Sequence, residues 1–84
     1  MIQAREDAHI LWFDGACRGN PGPASAGAVL YAPLSQGSSV VWAGQCFVSE
    51  LGTNNEAEYK AALIGIRAAI RIDGLQALHC RGDS

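Results

Sequence analysis

Eighty-four residues make one small domain, and a chain this short buries only about 60–65% of its unfolded surface, so its stability is expected to be marginal. At 49% hydrophobic and 17% charged residues, the composition is that of a globule rather than a disordered segment. Six Lys plus Arg against eight Asp plus Glu give a net charge of −2, which excludes a protein that grips nucleic acid by bulk electrostatics; phosphate contacts would need metal ions, backbone amides or a few placed side chains.

In chain order, His9-Ile10-Leu11-Trp12-Phe13-Asp14 is a nearly continuous apolar run that predicts a strand covered on both faces, with Asp14 at its end. Gly19-Asn20-Pro21-Gly22-Pro23 is the densest turn signal. Residues 24–32 read as a second strand, 33–39 as a connection turning at Gly37, and 40–48 as a third strand; such short connections predict an antiparallel meander. The pattern then becomes helical. Thr53, with Glu56 three residues on, forms a capping box that starts a helix at Asn54 or Asn55. At about 100° per residue, Glu58, Ala62, Gly65 and Ala69 fall in one narrow stripe and Tyr59, Leu63, Ile66 and Ile70 in the adjacent one, with Lys60, Arg67 and Arg71 on the far side. Gly74 stops the helix, and residues 75–80 read as a fourth strand. A strand reached through a helical crossover runs parallel to an earlier one. The expected fold is α/β: three antiparallel strands, one helix, and a fourth strand parallel to the first.

Cys17, Cys46 and Cys80 form no CxxC pair and leave an odd count, so neither a zinc site nor a disulfide framework is legible, and a reducing compartment is the easier fit. The N-terminal residues carry charge and no apolar signal region. No apolar run approaches the roughly 20 residues that span a bilayer. The expected setting is intracellular, cytoplasmic or nuclear, with no membrane partner and no secretion. Arg81-Gly82-Asp83 spells a cell-adhesion triplet, but without a secretion signal it reads as a chance occurrence.

If the first and fourth strands are parallel neighbours, Asp14 and Asp83 emerge at the same carboxyl edge of the sheet, where open α/β sheets place their ligands. Glu58, one turn into the helix and above its small residues, would be aimed at that edge. Three carboxylates without matching cations repel one another, and divalent metal is the natural remedy; an all-oxygen set suits Mg²⁺ or Mn²⁺. Each residue alone also has a plainer reading. Asp14-Gly15 is a turn dipeptide, Glu58 complements the helix dipole, Asp83 is surface charge, and Glu56 is the capping-box partner.

The conjunction is more specific. Phe13-Asp14-Gly15-Ala16-Cys17-Arg18-Gly19-Asn20-Pro21-Gly22-Pro23, then Thr53-Asn54-Asn55-Glu56-Ala57-Glu58-Tyr59 opening a helix, then Gly82-Asp83-Ser84 ending a strand, resembles the ribonuclease H family over residues 9–84. The Asn-Asn-x-Ala-Glu-Tyr helix is most similar to its reverse-transcriptase-like branch. The resemblance implies metal-dependent hydrolysis of the RNA strand of RNA–DNA hybrids, with Asp14, Glu58 and Asp83 as catalytic acids and ligands of Mg²⁺ or Mn²⁺. Asp14 would bridge two ions about 4 Å apart, leaving 5′-phosphate and 3′-hydroxyl ends. It further implies that Gly15, Cys17, Asn20, Thr53, Asn54 and Asn55 line the hybrid. Asn20, Asn54 and Asn55 would read minor-groove groups including RNA 2′-hydroxyls, which an amide can both donate to and accept from.

The family has a fourth metal carboxylate and further elements beyond this point, and no residue follows Ser84. The expectation is therefore a single, truncated domain over residues 1–84, lacking the C-terminal part of the fold. Hydrolysis would be impaired, and the fourth strand, left unpaired on one side, would invite self-association. The alternative is a non-catalytic nucleic-acid-binding module or an inert fragment.

Overall fold

The computed structural model describes residues 5–82. Strands β1 (Ala8–Cys17), β2 (Gly22–Tyr31) and β3 (Val40–Gly52) are followed by helix α1 (Asn54–Ala69) and strand β4 (Ala77–Gly82). The four strands form one sheet in the order β3-β2-β1-β4. β1 pairs antiparallel with β2, β2 antiparallel with β3, and β1 parallel with β4. This is the expected arrangement of three antiparallel strands with a fourth parallel to the first.

Several boundaries depart from expectation. β1 continues through Gly15, Ala16 and Cys17, which pair with Ala26, Ser25 and Ala24, so Asp14 lies inside the strand opposite Gly27 rather than at its end. Its turn residues are only Arg18 to Pro21, because the Arg18 N–H donates to the Pro23 carbonyl at 2.9 Å and closes the hairpin tightly. β3 runs four residues past the expected end to Gly52. β4 begins at Ala77 and runs to Gly82 rather than occupying residues 75–80. The helix ends at Ala69, well before Gly74. Arg71 and Ile72 donate to the carbonyls of Ala68 and Ala69 three residues back, tightening the last turn out of α geometry.

α1 covers one face of the sheet. Leu11, Ala28, Leu30 and Ala69 form the buried centre, with Phe13, Trp42, Ile64, Ile72, Leu75 and Leu78 packed around it. The opposite face is open among the described residues, so β1 is covered on one side only, and Trp12 there is 42% exposed. The helix is also rotated from its expected setting. The buried stripe is Ala57, Ala61, Gly65 and Ala69, one position round from the predicted start at Glu58 and Ala62. Tyr59, Ile66 and Ile70 face outward.

The cause of the rotation is the depth of the contact. A four-residue spacing of the smallest side chains lets α1 come down on β1 until there is no room for a methyl group: a Cβ built on Gly65 would lie 2.4 Å from Leu11 Cδ1. Larger residues at these positions would hold the helix off the sheet and forfeit contacts along its length.

Gly65→Ala tests this seating. Helix propensity favours alanine by about 1 kcal/mol, whereas overpacking a filled core costs about 1–3 kcal/mol. Leu11 is fully buried and has nowhere to turn. The clash is expected to win, lowering stability by about 1–2 kcal/mol in urea unfolding.

Candidate functional site

Thr53, in extended conformation, caps α1. Its Oγ1 accepts from the Glu56 N–H at 3.1 Å, and its hydroxyl donates to Glu56 Oε1 at 3.3 Å. Glu56 is therefore the capping partner that the spacing predicts, although its carboxylate meets the threonine hydroxyl. Asn20, in the β1–β2 turn, accepts at Oδ1 from the Asn54 N–H at 3.0 Å. That bond satisfies one of the helix's orphan amides from 34 residues away and draws the turn onto the helix start. Asn20, Thr53, Asn54 and Asn55 thus occupy one end of the domain. The Asn20 NH₂ group makes no hydrogen bond among the described residues and remains for a ligand.

Cys17 has a structural position. Its thiol donates to the Gly52 carbonyl at 3.1 Å and lies 3.7 Å from that of Gly22. It ties β1 to the residue that immediately precedes the helix cap. The three cysteines are free. Burial raises the pKa of Cys80, which keeps that thiol protonated at neutral pH and poorly suited to nucleophilic chemistry.

Gly15 brings the backbone of Glu58 against the residue that follows Asp14. A Cβ on Gly15 would stand 2.3 Å from the Ala57 carbonyl carbon and 2.3 Å from the Glu58 nitrogen. The helix start is therefore seated directly on the residue after Asp14. Strand alternation turns Asp14 to the open face, where it lines a broad trough with Trp12, Ala16 and Phe47, while Gly15 faces the helix. Asp14 is exposed and Glu58 half-buried. Glu58 Oε1 is buried and accepts no hydrogen bond within the protein.

Asp83, the third expected acid, lies outside the described residues, and among those described no group of three His, Cys, Asp or Glu side chains is placed to hold a metal ion. The donors that are present nevertheless suit a hard cation: an orphaned, desolvated carboxylate oxygen on Glu58 and a carboxylate with open access at Asp14.

One pairing carries no motif signal. Trp12 and Arg81 are opposite each other in the β1–β4 register, and the Arg81 guanidinium carbon lies 5.4 Å from the Trp12 ring centroid. The alternation of β1 would have placed Trp12 on Asp14's face, but no sequence feature gave its partner.

Comparison with known proteins bears on this geometry. Residues 12–84 match the family described as reverse transcriptase-like. Ribonuclease HI of Halobacterium salinarum is 42% identical over 73 residues, covering 87% of this chain and 34% of that protein. The crystal structure of RNase H1 from the same archaeon superposes with a TM-score of 0.76 at 39% identity, over 92% of this chain and 55% of the other. LC11-RNase H1, solved in complex with an RNA/DNA hybrid, gives a TM-score of 0.73 at 28% identity, over 90% of this chain and 54% of that one. The chain thus spans about half the length of these solved proteins and a third of the Halobacterium enzyme.

Gly15→Ala is expected to be worse tolerated than Gly65→Ala, because the added methyl meets helix backbone rather than a side chain. A loss of about 3 kcal/mol or more in urea unfolding is expected. Amide exchange of the first turn of α1 should accelerate in the same variant.

Proposed function

This chain belongs to the ribonuclease H family, within its reverse-transcriptase-like branch, and on that premise we propose that it acts on RNA–DNA hybrids and hydrolyses the RNA strand with divalent metal. The observation that carries the reading is the seating of the α1 backbone at Ala57 and Glu58 on Gly15, the residue after Asp14, in a chain of this family. Asp14 and Glu58, with Asp83, would hold Mg²⁺ or Mn²⁺. A bound ion of this kind supplies Lewis-acid stabilisation of the phosphoryl oxygens and a water acidic enough to attack.

The chain's own residues would do the remaining work. The buried Glu58 oxygen has no partner within the protein, so it is left to coordinate a cation. The Asn20 NH₂ group, on a side chain whose oxygen is tied to Asn54, would donate to an acceptor in the minor groove such as a 2′-oxygen. Asn54 and Asn55 present their side-chain amides from the same helix start, and Thr53 holds the turn that displays them. With so few cations, selectivity for hybrid rests on these polar contacts rather than on overall attraction.

A labelled hybrid cleavage assay with a Mg²⁺ titration tests the proposal. Asp14→Asn and Glu58→Gln each remove a charge and keep the shape. Losing several kcal/mol of charge stabilisation should lower the cleavage rate at least about 100-fold without unfolding the protein. Undiminished cleavage by Asp14→Asn would end the assignment.

Substrate choice is tested separately by binding. The chain should prefer RNA–DNA hybrid over duplex DNA of the same sequence, and Asn20→Ala should reduce that preference by about 0.5–1.5 kcal/mol, the net value of one neutral hydrogen bond. Equal affinity for the two duplexes in the unmodified protein would remove the substrate assignment.

A further inference from the structure

We propose that Arg81 is a phosphate-contacting residue, held ready by Trp12 on the sheet face that carries Asp14; the inference rests on the hybrid-binding reading above. Three features of the fold lead to it. The parallel register sets Arg81 beside Trp12, and the period of two along β1 puts Trp12 and Asp14 on one face. From strand spacing and rise, Arg81 and Asp14 are diagonal neighbours with Cα atoms roughly 8 Å apart. That is about two nucleotide steps at roughly 3.4 Å per step along a duplex axis.

The position of the guanidinium over the ring also decides which groups Arg81 offers. At 5.4 Å from the centroid it makes a cation–π contact with the indole. That contact occupies no hydrogen-bond acceptor, so the fork of N–H donors stays available for the non-bridging oxygens of a phosphate. Trp12 is 42% exposed, so the pair sits at the surface where a duplex can reach it. Among the described residues the ion pair formed is Arg5–Asp7, and neither Asp14 nor Glu58 takes the Arg81 charge.

Charge scarcity gives the residue its significance. Carboxylates gathered for metal repel an approaching phosphodiester, and the chain has only six Lys plus Arg to offset this. A cation one strand over from Asp14 offsets that repulsion on the same face. Because the contact is to the backbone, it acts on hybrid and duplex DNA alike, unlike the amide contacts of Asn20 and Asn54.

The test is equilibrium binding of two fluorescein-labelled 12-base-pair probes, one RNA–DNA hybrid and one duplex DNA, in EDTA so that no cleavage consumes the probe. Affinity is followed from 25 to 200 mM salt. Arg81→Gln should bind both probes roughly tenfold more weakly at low salt, the lower end for a hydrogen bond to a charged group. Its slope of log K against log salt should be shallower by about one. Arg81→Lys keeps the charge and should keep the slope while losing part of the affinity. In a Trp42→Phe background, Trp12 is the remaining indole; its emission should change on adding either probe, and this response should vanish in Arg81→Gln. An unchanged slope in Arg81→Gln, or failure of the unmodified protein to bind either probe, would overturn the proposal. Loss of the hybrid preference with the slope effect intact would instead remove the hybrid reading and leave the phosphate contact standing.

Discussion

The depth at which α1 sits on β1 is the constraint that the other features share. Gly65 lies against Leu11 and Gly15 against the backbone of Ala57 and Glu58, with no space for a methyl group at either point. Ala57, Ala61 and Ala69 complete the contact and are fully buried. Small residues contribute little apolar area each, so this interface gains from density rather than from size: dispersion falls off steeply with any gap. The arrangement also makes the position of Glu58 a property of the backbone. Its nitrogen is fixed against Gly15, and its side chain starts from that fixed point.

A second set of contacts holds the other side of the same end. The Asn20–Asn54 hydrogen bond and the Cys17–Gly52 contact both run from the β1–β2 hairpin to the segment where β3 gives way to α1. Each is modest, since a neutral hydrogen bond contributes about 1 kcal/mol net and a thiol is a weak donor. Their value is geometric. They make the turn and the helix start one unit, so that residues separated by more than thirty positions keep a fixed spacing. Cys17 ties β1 to Gly52, the residue before the Thr53 cap.

The two outer surfaces have a different character from this packed interior. Tyr59, Ile66 and Ile70 are displayed on the outside of the helix, and Trp12 and Phe47 on the open side of the sheet. On the sheet side, Arg81 covers part of Trp12 and brings a positive charge to the face where Asp14 emerges. A chain with a net charge of −2 in this way keeps a local cation on that face.

Strand order and direction were legible in the sequence because they depend on local signals. The turn at Gly19–Pro23, the connection at Gly37 and the Thr53–Glu56 cap each act over a few residues, and a helix between strands implies a parallel return. The family was legible for the same reason, since each of its motifs is a short run of neighbouring residues. What the sequence did not determine was which helix stripe meets the sheet. Ala57 and Ala62 both belong to small-residue stripes, and only the partner surface of Gly15 and Leu11 distinguishes them. Nor did it show that Asp14 lies inside β1, because hairpin pairing extends strands beyond what composition alone requires. The Asn20–Asn54 bond and the Trp12–Arg81 cation–π contact had no sequence signature at all. They join residues far apart in the chain, and only the closed sheet brings them within reach.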